Sequence, residues 1–179
     1  MAEAREALSQ RLQALSRAHD LLVASDWRGA SLKSIVAAEL SAFGERVRGA
    51  GPDVTINAKV AQSLVLVVHE LATNASKYGA LSNETGRVTL AWSITGDGES
   101  RRLVLRWKES GGPPVAPPSQ KGFGSTLLEQ LIRGDLGKSP RLAFEPDGFI
   151  YELDVPLSAV EASDDNGDRS GSSSAAGGA

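Results

Sequence analysis

AKVAQSLVLVVHELATNASKY, residues 58–78, decides the fold. It has no Gly or Pro, and Val60, Leu64, Val67, Val68, Leu71, Ala75 and Tyr78 recur at helical spacing. This predicts an amphipathic helix with that stripe turned to a core. At 100° per residue, Glu70, Asn74 and Lys77 fall within about 60° of one another, so they project into one space. A carboxylate, an amide oxygen and an ammonium suit a hydrated magnesium polyphosphate, with oxygen ligands for the hard cation and a point charge for the phosphates. A solvated helix face is the competing reading of the same pattern.

Working outward, residues 87–94 and 101–107 read as strands joined at Gly96-Asp97-Gly98. Residues 111–124 hold too many Gly and Pro for regular structure, and a helix follows over about 125–133. A second hairpin, 141–144 with 149–155, turns at Pro146-Asp147-Gly148. Upstream, residues 54–56 form a short strand, 48–52 a break, and Leu32, Ile35, Val36, Leu40 and Phe43 a short helix opening near Ser31. From Glu3 to Ala24 another helix carries a narrow seam of Leu8, Leu12, Leu15, His19 and Leu22, which needs partner helices. Antiparallel strand pairs with helices between them predict an α/β two-layer sandwich, a mixed, largely antiparallel sheet with helices on one face. The expected division is a seam-bearing helix over 1–25, a body over 26–157 and a disordered acidic Ser/Gly tail over 158–179.

The composition supports one modest domain: 179 residues, 41% of them hydrophobic and 23% charged. With 19 Lys and Arg against 22 Asp and Glu, the net charge of −3 disfavours a nucleic-acid binder. Glu161, Asp164, Asp165 and Asp168 against Arg169 put all of it in the tail. Zero cysteines exclude disulfides, thiolate metal sites and a cysteine nucleophile. The longest aliphatic run, 64–68, is far below the roughly 20 residues that cross a bilayer. MAEAREALSQR lacks the order of a secretory signal, so a soluble, cytoplasmic chain without membrane contact is expected.

Two further sites carry chemistry. Trp107-Lys108-Glu109-Ser110-Gly111-Gly112 sets an acid at a strand end before a double Gly. Such a carboxylate can accept from an exocyclic amine while bare backbone approaches the ring, which selects adenine over guanine. An ordinary strand-end carboxylate reads equally well. Lys121-Gly122-Phe123-Gly124-Ser125-Thr126 opens the helix carried by Leu127, Leu128, Leu131 and Ile132, and free backbone donors at a Gly-rich helix start attract phosphate. Neither Walker A spacing nor a strand-led GxGxxG is present.

In their order, HELATNASKYGALS (69–82), WKESGGPPV (107–115) and GFGSTLLEQLI (122–132) resemble the N, first glycine and second glycine boxes of HWE-type sensor histidine kinases. His69 matches the His of that name, and Trp107 with Glu109 its Trp-x-Glu. QRLQALSRAHDLL (10–22) with Trp27 is similar to the family's second dimerisation helix and linker, and 136–157 to its terminal hairpin. The resemblance implies a Bergerat-type ATP-binding sandwich. In it Asn74 would hold magnesium (Mg2+) with Glu70 beside it, Lys77 would touch phosphate, and Tyr78 would line the pocket. Glu109 would read adenine with Gly111 allowing close approach, and Gly122, Phe123, Gly124 and Ser125 would bind the phosphates under a lid over 112–121. It also implies a homodimeric parent, a phosphoacceptor His helix and a response regulator receiver domain as partners. No box resembling the family's His-Arg-Val-Lys-Asn acceptor occurs, and the histidines are His19 and His69. His19 is expected in the packed seam, and His69 is expected to orient Glu70 or the lid. A non-catalytic interaction module working through the Leu-rich helix, an anti-sigma or serine-directed kinase and a hydrolytic ATPase remain as other readings.

Overall fold

The computed structural model describes residues 2–115 and 123–162. A helix, α1 (Ala2–Ala24), leads to a two-residue strand, β1 (Ala30–Ser31), and to α2 (Leu32–Leu40), whose N-cap Ser31 accepts the Ser34 N–H. Next come a 3-10 segment (Ser41–Arg46), β2 (Val47–Ala50), β3 (Thr55–Ile56) and α3 (Ala58–Lys77), capped by the Asn57 side chain on the Val60 N–H. The chain continues through β4 (Arg87–Thr95), β5 (Arg102–Ser110), α4 (Phe123–Leu136), β6 (Arg141–Glu145), β7 (Gly148–Pro156) and α5 (Leu157–Val160).

The main sheet has the order β2-β4-β5-β7-β6, parallel only between β2 and β4. Alternation along the strands makes its two faces unlike. Val88, Leu90, Trp92, Leu103, Leu105, Trp107, Leu153 and Val155 are buried beneath α3 and its neighbours, together with Val60, Leu64, Val67, Val68 and Leu71. The opposite face carries charges that pair across strands: Arg102 with Asp154, and Arg106 and Arg141 both with Glu152. The helices therefore cover one face, as the strand and helix pattern predicts.

Several local expectations change. Residues 48–52 do not simply break the chain, because 47–50 add an edge strand to β4. Gly49 is what permits this, since a Cβ there would collide with Cγ1 of Val36 on α2. In α1 the phase differs from the Leu seam: Ala14, Ala18 and Leu22 are buried against α2 and α3, whereas Leu8, Leu12, Leu15 and His19 are exposed. Small alanines let α1 lie close to α3, which turns the larger leucines outward. Tyr78 leaves the helical stripe because α3 ends at Lys77, and its side chain is 69% exposed. The body also outlasts the expected boundary at 158. Val160 is fully buried, Asn57 N–H donates to its carbonyl, and Ala162 N–H donates to Thr55 O. Residues 163–179, the rest of the expected tail, lie outside the described residues.

Leu22, fully buried, is the last apolar anchor of α1. Leu22→Ala is expected to lower stability by about 3 kcal/mol in urea unfolding, with the midpoint shifted and the slope retained.

Candidate functional site

Two arginines of α1 reach buried carboxylates on other helices. Arg11 donates from Nε and Nη2 to the two oxygens of Glu70 on α3, at 2.5 and 2.8 Å, and Glu70 is only 3% exposed. Arg17 makes the same two-pronged contact with Glu39 on α2, 2.8 Å on each side. His69 Nδ1 lies 3.3 Å from Oε2 of Glu39, so three helices meet on that carboxylate. Burial pushes Glu39 up, but the His69 contact and the Arg17 guanidinium outweigh it and hold the carboxyl below its ordinary value.

These contacts revise the reading of the helix face. Glu70 is not on a solvated surface with Asn74 and Lys77: α1 covers it, while Asn74 is half-buried and Lys77 exposed. His69 is turned to Glu39, not to Glu70. His19 stands edge-on to Trp27, ring centroids 5.1 Å apart, at the surface rather than in a packed seam. Asn74 sits in the last turn of α3, where its carbonyl accepts the N–H groups of Tyr78 and Gly79. Among the described residues no cluster of three His, Cys, Asp or Glu side chains could hold a metal ion.

Glu109 is the second-last residue of β5, at the strand end as expected, and is 3% exposed on the buried face. Its Oε2 accepts the Ala80 N–H at 2.8 Å and its Oε1 the Trp107 indole N–H at 3.1 Å. Burial raises this carboxyl above its ordinary value, and the two donors offset only part of that. Glycines crowd it. A Cβ at Gly79 would collide with Oε2, and one at Gly148 with the Glu109 carbonyl. Gly111, at φ +69, is tied down by Asn83 Nδ2 and Thr85 Oγ1, both donating to its carbonyl at 3.1 Å. The turn after α3 and the first glycine box therefore form one hydrogen-bonded unit around Glu109. Phe123, Gly124 and Ser125 open α4, whose Leu128 and Ile132 enter the core. Gly122 and lid residues 116–121 lie outside the described residues.

The family model of the HWE histidine kinases matches residues 1–53. Blue-light-activated histidine kinases of Brucella anthropi and Brucella ovis are 42% and 38% identical to this chain over 87% of it. The chain is similar to the HWE histidine kinases over these stretches. It spans about a third of the length of those relatives, 33% and 32%. The histidine kinase domain of a blue-light activated histidine kinase from Erythrobacter litoralis superposes with a TM-score of 0.66 at 24% identity, over 84% of this chain and 75% of that one. The catalytic domain of histidine kinase ThkA gives 0.53 at 15% identity, over 71% and 94%. These two likenesses establish the histidine kinase catalytic fold. Sequence reasoning misses Arg11, Arg17 and Glu39, whose pairing joins residues remote in sequence and leaves no spacing signal.

Arg17→Ala would leave the buried Glu39 carboxylate with His69 alone. The expected cost is about 2 kcal/mol at neutral pH, discounted because the arginine is partly open to solvent. A depressed folded-state value means that Glu39 adds stability above its ordinary value and loses it as pH falls through the folded one. Thermal unfolding from pH 7 down to pH 3 is therefore expected to show a shallower acid limb in Arg17→Ala than in the parent.

Proposed function

We propose that this chain is the ATP-binding catalytic region of a two-component sensor histidine kinase. The observation that carries this is the buried Glu109 carboxylate in its glycine surround, next to the α3 end that bears Asn74 and Lys77. An acceptor-only carboxylate without side chains at Gly79 and Gly111 suits the amine edge of adenine. Asn74, Lys77 and Tyr78 then face the nucleotide, and the backbone of Gly122, Phe123, Gly124 and Ser125 receives its phosphates.

Glu70 has both oxygens on Arg11 in this arrangement, so the magnesium donor set is Asn74 together with oxygens of the triphosphate and water. Asn74 would hold the cation, and Glu70 would be a further ligand only with its oxygens free of Arg11. Magnesium would supply charge neutralisation at the phosphates. The chain's own residues bind and orient: Lys77 offsets phosphate charge, and the sandwich aligns the γ-phosphoryl for in-line transfer. In that transfer the bond from the γ-phosphorus to the β,γ-bridging oxygen breaks, a P–N bond to an imidazole forms, and the imidazole proton leaves.

His69 is engaged with Glu39 and His19 with Trp27, which favours an acceptor His on a helix outside residues 1–179. The exposed Leu8, Leu12 and Leu15 row is a fitting surface for that helix and for a homodimeric parent. A response regulator receiver domain is the next acceptor; ThkA has been crystallised with the response regulator TrrA. No helix among the described residues is long and apolar enough to cross a membrane, in keeping with a cytoplasmic module.

Binding of a fluorescent ATP analogue, with and without magnesium, tests the reading. The intact chain is expected to bind in a magnesium-dependent way, and Asn74→Ala to bind about tenfold or more weakly with little remaining magnesium response. A folded chain that binds no nucleotide overturns the proposal.

A further inference from the structure

Strand geometry puts Trp107 and Glu109, two residues apart on β5, on the same buried face. Trp107 is fully buried, so its indole N–H must find an acceptor inside the protein, and it finds Oε1 of Glu109. The Ala80 N–H takes Oε2. One carboxylate thus satisfies two buried donors from different segments, and its orientation is fixed from both sides. An ionised carboxylate has about four lone-pair positions, so one on each oxygen remains for a ligand.

We propose that Trp107 is a positioning residue for base recognition, its indole N–H holding the Glu109 carboxylate as the oriented, charged acceptor that a 6-aminopurine meets. Trp107 itself touches no ligand. This inference rests on the nucleotide-site reading above and adds a determinant of specificity to it. A charged Glu109 accepts only, so it attracts the 6-amino group of adenine and repels the 6-carbonyl of guanine; a protonated one can donate to that carbonyl. Whatever keeps Glu109 ionised therefore keeps the site selective. Around it stand Gly79 and the Ala80 N–H from the turn after α3, Val88 across the ladder on β4, Gly148 from β7, and Trp107. Its charge is set by burial and by the two N–H donors, with no charged side chain of the described residues acting on it. Of the two donors, only the indole belongs to a side chain.

Trp107→Phe keeps a ring in the slot and deletes the donor. Binding of the ATP analogue, and its displacement by ATP and by GTP, would be measured from pH 5.5 to 8.5. At pH 7 the variant is expected to bind ATP about tenfold more weakly. Its acid limb should move up by about one pH unit, and its ATP-over-GTP preference should narrow. In a Glu109→Gln background the same substitution should add no more than about a twofold change. An unmoved pH profile, or an equal loss in the Glu109→Gln background, would reduce Trp107 to packing and overturn the inference.

Should Trp107→Phe fail to fold, the nitrogen-15 indole signals of the intact chain decide. Trp27→Phe and Trp92→Phe assign those two signals, which leaves the third for Trp107. In the nucleotide-free chain the Trp107 signal should titrate with Glu109 and stop doing so in Glu109→Gln; a signal flat across the range overturns the inference. A titrating indole in a folded chain that binds no nucleotide would sink the nucleotide site and base recognition with it, leaving only the Trp107–Glu109 hydrogen bond.

Discussion

A carboxylate taken out of water must be met by donors, and the helical layer is assembled around three that are. Glu39, Glu70 and Glu109 are each less than a tenth exposed, and each takes at least one donor from another segment of the chain. Leaving any of them uncompensated would cost several kcal/mol, comparable with a large part of the net stability of such a domain. The positions of α1, α2, α3 and the turn after α3 are therefore coupled through these acids as well as through the apolar core. Hydrophobic packing alone would tolerate small slides of α1 along α3, whereas two forked guanidinium contacts fix its register.

How far this can be read in advance depends on the range of the interaction. The helix over 58–77 and both hairpins are legible because their signals are local: a 3.6-residue stripe in one, alternation and Gly-bearing turns in the others. The three boxes that resemble those of the kinase family are legible as short strings. What cannot be read is pairwise and remote. Arg11 and Glu70 are separated by 59 residues, and Arg17 and Glu39 by 22, and an arginine on a helix surface is ordinarily solvated. The face of α1 is misassigned from sequence because leucines outweigh alanines in any hydrophobic pattern, although alanines allow the closer approach. β2 escapes notice because two of its four residues are Gly49 and Ala50, poor strand formers held by the parallel ladder with β4.

The site divides along the same line. That an acid stands before a double glycine is a sequence fact. That its oxygens are held by an indole from the same strand and an amide from the turn after α3 is a fact of the fold, and it gives the Trp-x-Glu spacing a physical reason. Residues two apart on a strand share a face, so the donor and the acceptor are delivered together.

The outward face of the sheet bears on how the molecule keeps company. Arg102, Arg106 and Arg141 interleave with Glu152 and Asp154 there, so a second copy laid against it would meet charges of both signs already spoken for. The edge at β2 is only four residues long and carries Arg48, a poor template for another strand. Sticking through the sheet is thus discouraged on its face and at that margin. Apolar surface capable of durable association is instead concentrated along α1, where Leu8 and Leu12 stand more than half exposed. The protein is sociable on the helix side and aloof on the other, an asymmetry that spares a concentrated solution from fibrous stacking.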